Sequence, residues 1–158
     1  MCRRLYFFGL IVLIISACKT DRQTYWSLPA VSGFSFYPLE SQGLLLLPSR
    51  RGNIPSIEAF HIETGRKAWA FSDSILSNVY YNFQPYLAEQ ALVLPVGSEL
   101  LCLNPKNGKL KWRYRREQPG DSHVFGDRRM VYRSYLSPNG TDFQWVGVHI
   151  ATGKDVVL

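Results

Sequence analysis

Apolar and polar residues alternate in short runs along most of this chain, and the runs recur. The clearest unit is LLCLNPKNGKLKWRY (Leu100 to Tyr114), an apolar run, a polar turn closing on Gly, then an alternating segment with Trp four residues after the glycine. IEAFHIETGRKAWAF (Ile57 to Phe71) repeats this unit, and WVGVHIATGKDVVL (Trp145 to Leu158) repeats it again. The turn glycines Gly65, Gly108 and Gly153 stand 43 and 45 residues apart, a period shared by propeller blades and helical arrays. Val, Ile, Tyr, Phe and Trp fill the segments, and Gly or Pro interrupts them too often for helices of about ten residues. The prediction is an all-β partial propeller of three four-stranded antiparallel blades, the last one truncated.

In the first blade the pattern predicts strands at Phe34 to Tyr37, Leu44 to Leu47, Ile57 to His61 and Lys67 to Phe71. Between the second and third, PSRRGNIP (Pro48 to Pro55) reads as a long loop. It makes Arg50 and Arg51 a candidate contact site, against the plainer reading of a solvated basic loop. The second blade is predicted at Phe83 to Ala88, Ala91 to Val96, Glu99 to Leu103 and Lys109 to Arg115, with Gly97-Ser98 as a tight hairpin. The third is predicted at His123 to Gly126, Met130 to Tyr135, Gln144 to His149 and Lys154 to Leu158, with Leu136 to Phe143 as its long loop.

Period two is plainest in the strand ending at Arg115. Lys109, Lys111, Arg113 and Arg115 fall on one face, and Leu110, Trp112 and Tyr114 fall on the other. The apolar face is expected to pack on the next blade. The cations serve either as a guard against edge-to-edge pairing, which is the favoured reading, or as a surface for an anionic partner. Val157 stands where the first two units have Trp69 and Trp112, which weakens the last docking strand. An arc of three blades also leaves two end faces open, and residues such as Trp69 and Phe71 are expected to be only partly covered there, which favours self-association.

Of the 158 residues, 46% are hydrophobic and 14% aromatic, enough for one packed domain and unlike a disordered chain. The formal charge is +6, which falls to +4 when counted from Cys18, with 16 basic against 12 acidic residues. Such a mild excess predicts no nucleic-acid partner.

The first 18 residues, MCRRLYFFGLIVLIISAC, change the picture of location. Arg3 and Arg4 precede an apolar run of 11 residues, Leu5 to Ile15, which is too short to span about 30 Å of hydrocarbon as a helix. Small residues then lead to Cys18. Ile15-Ser16-Ala17-Cys18 resembles the bacterial lipobox, which implies a signal peptide over residues 1–17, cleavage before Cys18 and a diacylglyceryl thioether on its sulfur. Residues 18–30 would form the lipid anchor and tether, and residues 31–158 the repeats. In the lipoproteins that carry this motif an Asp after the cysteine favours inner-membrane retention; Lys19 points to the outer membrane instead. Trp26 can pack on the body or lie in the lipid interface, and the absence of an amphipathic helix around it favours packing. Cys102 is then the one remaining thiol, set among leucines with no His or basic neighbour in sequence, and is expected to act as a small buried hydrophobe.

HIETGRKAW (His61 to Trp69), NPKNGKLKW (Asn104 to Trp112) and HIATGKDVV (His149 to Val157) resemble the pyrroloquinoline-quinone-type (PQQ-like) propeller repeat, with its D-x-x-T-G-K turn and docking Trp once per blade. His61, Asn104 and His149 take the Asp position and are read as turn residues, not metal ligands. The family includes quinone-dependent dehydrogenases and cofactor-free proteins, notably the propeller lipoprotein of the outer-membrane barrel-assembly machinery. Its enzymes use an acidic calcium-binding constellation and often a Cys-Cys pair. This chain has no adjacent cysteines, and its acids are scattered singly. The resemblance therefore implies a non-catalytic, cofactor-free and metal-free module in the cell envelope, bound to the membrane by its lipid and to a protein or envelope polymer through its loops. The alternatives are a subunit or relative of a quinone-dependent dehydrogenase, or a fragment of a longer propeller.

Overall fold

A computed structural model describes residues 36–78, 84–121 and 123–157. The signal segment, Cys18 and the tether with Trp26 lie outside the described residues, as do Phe34, Phe83 and Leu158. Among the described residues, twelve strands form three four-stranded antiparallel sheets, each an up-and-down meander in chain order. The first holds β1 (Tyr37–Leu39), β2 (Leu44–Arg51), β3 (Ile54–His61) and β4 (Lys67–Ser72). The second holds β5 (Tyr86–Ala88), β6 (Ala91–Val96), β7 (Glu99–Leu103) and β8 (Leu110–Arg115). The third holds β9 (Phe125–Gly126), β10 (Met130–Leu136), β11 (Phe143–His149) and β12 (Asp155–Val157). No helix among the described residues is long and apolar enough to cross a membrane.

One predicted boundary is overturned. Pro48 to Pro55 is not a loop: β2 and β3 run on through it, pairing Pro48 with Ile57, Arg50 with Pro55 and Arg51 with Ile54 around a tight turn at Gly52 (φ +61°). Proline lacks the N–H that a ladder needs, so it fits a strand only where no partner waits on that side. Both prolines meet this condition. The β1–β2 ladder stops at Tyr37 and Leu46, short of Pro48, and the β3–β4 ladder starts at Ser56 and Ser72, just past Pro55. Arg50 and Arg51 thus sit at the end of a strand and not on an inserted loop. The inner strands are also shorter than predicted: β1 begins at Tyr37 and gives way to a 3-10 turn at Glu40–Gln42, and β9 begins at Phe125.

Each sheet buries one face against the next. Leu44, Leu46, Ile57, Ala59 and Trp69 of the first sheet form one core with Leu92, Leu94, Val96, Leu101 and Leu103 of the second. From the opposite face of the second sheet, Ala91, Val93, Leu100 and Cys102 form another with Val131, Tyr135, Val146, Val148 and Ile150 of the third. Sheets buried on both faces lose the polar alternation of a half-exposed strand. This is why β6 (ALVLPV) and β7 (ELLCL) are buried at every position and read as continuous apolar runs.

Of the two residues expected to be partly covered, Phe71 is so and Trp69 is not. Trp69 is buried inside the arc, whereas the third sheet turns Phe125 (55% exposed), Phe143 (69%) and Trp145 (46%) outward. Phe125 stacks on Tyr132, ring centroids 5.5 Å apart, and meets Trp145 edge-on at 5.3 Å. Gly147 makes room for this array, because a Cβ there would come within 2.8 Å of Met130 and 3.1 Å of the Tyr132 ring. Aromatic surface so arranged promotes association. Residues 19–158 expressed without lipid are accordingly expected to self-associate or aggregate, and a F125S/W145S variant to do so less. Light scattering that shows a stable monomer binding no hydrophobic-surface dye would contradict this.

Candidate functional site

The repeat residues meet pairwise across the blade boundaries. In each β3–β4 type turn the hydrogen bonding is the same. Gly65, Gly108 and Gly153 donate their N–H to the carbonyls of His61, Asn104 and His149 at 2.8, 2.8 and 2.7 Å. The N–H groups of His61, Asn104 and His149 in turn reach the carbonyls of Arg66, Lys109 and Lys154 at 2.9, 2.8 and 2.8 Å. The glycines take φ of +65°, +69° and +72°, a region costly for residues with a Cβ. A short polar side chain tightens every turn from within: Thr64, Asn107 and Thr152 accept from the N–H two residues on, at 3.3, 3.0 and 3.3 Å.

Onto two of these turns the preceding blade lays a tryptophan. Trp69 donates its indole N–H to the Pro105 carbonyl at 2.7 Å, and a Cβ on Gly108 would lie 2.5 Å from its ring. Trp112 does the same to the Ile150 carbonyl at 2.7 Å, with Gly153 beneath it, where a Cβ would come within 2.9 Å. Glycine is therefore needed twice over, for its backbone angle and for the closeness of the ring. Tyr114 adds a hydrogen bond from its hydroxyl to the Asp155 carboxylate at 3.0 Å. Burial and that carboxylate push its pKa up to about 12.

The cationic strand faces back toward the first blade and is largely occupied by the chain's own acceptors. Arg113 bridges the carboxylates of Asp73 and Glu99, the latter at 3.4 Å, and Arg115 lies 3.7 Å from Glu99. Lys111 donates to the Gln90 carbonyl at 2.9 Å. Lys109 stands exposed at the turn. A charge cluster with buried counter-charges is a weak seat for an outside anion, since Glu99, itself buried, already offsets it. Arg50 and Arg51 end β2 in the first sheet, and the cationic stripe lies along β8 of the second.

Sequence reasoning missed Arg133. It is fully buried between the second and third blades and donates to the carbonyls of Asp121 at 2.6 Å, Glu99 at 2.7 Å and Gly97 at 2.8 Å, with its guanidinium 5.2 Å from the Tyr135 ring centroid. It ties the β6–β7 hairpin to the segment before β9. A signal existed, for Val131, Arg133 and Tyr135 share one strand face. The other face, Met130, Tyr132 and Ser134, is comparably apolar, so alternation could not say which was inside.

A cleft of about 460 Å³ runs along the inner strands, lined by Tyr37, Leu39, Glu40, Gln84, Leu87 and His123 among others. His123 is held by Asp121, 2.9 Å from its Nδ1. Tyr37, Glu40 and His123 are the titratable groups among the described residues that line this cleft. Among the described residues no group of three His, Cys, Asp or Glu side chains converges on a metal-sized site. Cys102 is buried, and burial lifts its thiol to about 11 despite the opposing pull of Lys111.

Among the described residues, three meander sheets docked face to face, with a Trp-on-Gly contact at each of the two boundaries, have the arrangement of consecutive β-propeller blades. The comparisons bear on the same fold. BamB from Moraxella catarrhalis aligns over 72% of this chain and 32% of its own, at 16% identity and a TM-score of 0.52. A quinohemoprotein alcohol dehydrogenase from Pseudomonas putida aligns over 84% and 30%, at 14% identity and a TM-score of 0.51. An uncharacterized protein from Listeria monocytogenes aligns over 84% and 42%, at 9% identity and a TM-score of 0.57. The chain therefore spans between 30% and 42% of the length of these structures. No family model and no curated protein matches.

The buried thiol yields a direct prediction. Cys102 should resist alkylation at pH 8 in the native chain and react fully once denatured, followed by mass spectrometry of the peptide that carries it. Native labelling at the denatured rate would contradict its placement between blades.

Proposed function

We propose that this chain is a lipid-anchored, non-catalytic propeller module of the cell envelope, acting as a binding or scaffolding protein. The observation that carries the reading is the outward face of the third sheet. In the first and second blades the matching face, with Ile57 and Ala59 or Leu100 and Cys102, is covered by the next blade. In the third blade the same positions are Trp145 and Gly147, backed by Tyr132 and Phe125, and they form an aromatic platform. By continuity with the two interfaces inside the arc, its occupant is another β-sheet face, supplied by a protein partner or by a further blade. Arg113 and Arg115 of β8 have their own acids nearby, which argues for a protein partner ahead of an anionic polymer.

The envelope location rests on the leader and Ile15-Ser16-Ala17-Cys18, and BamB offers a precedent of the same fold; Lys19 favours the outer membrane. A relationship to dehydrogenase subunits is the second reading, and the quinohemoprotein neighbour is what favours it. Against it stand the missing Cys-Cys pair and the single, scattered acids.

Two measurements test the proposal. Mass spectrometry of membrane-fraction protein from the native host should find a diacylglyceryl-modified peptide beginning at Cys18; an intact Met1 or an unmodified Cys18 would refute the anchor. Calorimetric titration of the protein with pyrroloquinoline quinone and calcium should show no tight binding, and submicromolar affinity would refute the non-catalytic assignment.

A further inference from the structure

A second cleft, of about 360 Å³, opens at the boundary between the second and third blades, on the side where the glycine turns lie. Its walls come from the two-residue β5–β6 turn Glu89-Gln90, the matching β9–β10 turn Arg128-Arg129 and the stretch His149-Ile150-Ala151, and Lys111 reaches it from β8. Ala91 and Ile150, both buried, give it an apolar floor. Hydrogen bonds hold the walls in place. The Arg129 carbonyl accepts from the Ile150 N–H at 2.8 Å, and the Asp127 carbonyl from the Tyr86 hydroxyl at 2.9 Å. The Asp127 carboxylate accepts the N–H groups of Arg129 and Met130 at 2.6 and 2.8 Å, and Lys111 donates to the Gln90 carbonyl at 2.9 Å. The cleft is thus formed before a ligand arrives, which lowers the cost of binding one.

Its charge is one-sided. Lys111, Arg128 and Arg129 stand against one lining acid, Glu89, an excess of two positive charges. Glu89 lies 3.7 Å from Arg128, but the two side chains are 76% and 90% exposed, and so open a pair holds little. Neither Lys111 nor Arg129 makes a salt bridge among the described residues, and Asp127, beside Arg129 in the turn, spends its carboxylate on the backbone.

The first blade boundary supplies a comparison within the same chain. Counted from the equivalent tryptophans, Ala68 stands there for Lys111; counted from the equivalent two-residue turns, Glu89 and Gln90 stand for Arg128 and Arg129. That boundary closes on its own Trp-on-Gly contact without a cation at any of these positions. Packing of the blades therefore does not require the three cations at the second boundary.

We infer that this cleft binds a phosphate monoester, its phosphate between Lys111, Arg128 and Arg129 and its small organic body on Ala91 and Ile150. A monoester carries a charge of about −1.5 to −2 at neutral pH, which matches the excess in the lining. The planar fork of arginine suits phosphate oxygens, and lysine adds a point charge. The volume is at the small end of the range of roughly 300 to 1,000 Å³ for ligand pockets, room for the ester of a single sugar. The seat is separate from the aromatic face of the third sheet and depends on neither the anchor nor the envelope location proposed above.

Phosphorus NMR titration of glucose 1-phosphate with the full chain, in a neutral detergent at low ionic strength, tests the seat. Submillimolar binding is expected, weakened tenfold or more in R128S/R129S and tightened severalfold in E89Q. The gain in E89Q is a result that misfolding cannot imitate. Lys106→Ser is the control, since Lys106 lies in the corresponding turn at the first boundary and its loss should leave the affinity unchanged. Dihexanoyl phosphatidylglycerol, a soluble diester with a single charge, tests a lipid headgroup as the source and should bind severalfold more weakly than the sugar phosphate. No saturable binding at millimolar glucose 1-phosphate would overturn the inference. So would an affinity that R128S/R129S does not move, an E89Q chain that binds no tighter, or a diester that binds better than the monoester.

Discussion

The arc depends on one recurrent contact, an indole from the outer strand of one blade lying flat on a glycine of the next blade's turn and bonded to a carbonyl three residues before it. Sheet faces alone are apolar and non-directional, and many relative rotations would bury similar area. The N–H to carbonyl bond is directional, and the ring reaches its acceptor only when the turn has its left-handed glycine and no Cβ. Trp69 on Gly108 and Trp112 on Gly153 therefore fix how each blade is turned relative to its neighbour, while Leu, Ile and Val fill the space between. Arg133 performs the corresponding task at the opposite end of the second boundary, donating to the carbonyls of Asp121, Glu99 and Gly97.

The proposed function rests on what this packing leaves uncovered. In the cationic strand, Arg113 and Arg115 lie against Asp73 and Glu99, so part of its charge is offset within the chain. The thiol with the most reactive side-chain chemistry is sealed between two sheets. What remains outward is aromatic, on a face whose counterparts in the other two blades are both interfaces. The binding role proposed above rests on that face.

Much of the fold was legible because two signals coincide at each blade: the period-two strand and the glycine turn that ends it. Their spacing gave the strand order of the second blade almost to the residue. What escaped the sequence did so for physical reasons. Pro48 and Pro55 read as loop markers, yet each lies beyond the end of the strand that would have needed its N–H, a fact about neighbours that no local window contains. Arg133 lies in a strand with two similar faces. The burial of Trp69 escaped it because the direction in which Trp69 docks cannot be read from the strand that carries it. Trp69 points forward, to Gly108, and the forward face exposed among the described residues is that of the third blade.

The most direct test of the account is a double-mutant cycle on Trp69 and Gly108, measured by denaturation of the full chain. Trp69→Ala should cost about 3 to 5 kcal/mol. Gly108→Ala alone should cost a comparable amount, since the methyl group displaces the ring as well as straining the turn. In the Trp69→Ala background the ring is gone, and Gly108→Ala should cost only the strain of a left-handed alanine, about 1 to 2 kcal/mol, so the two effects fall well short of additivity. Strict additivity, with Gly108→Ala equally costly in both backgrounds, would mean that the indole and the glycine do not act as one contact and that the blades are held by their apolar faces alone.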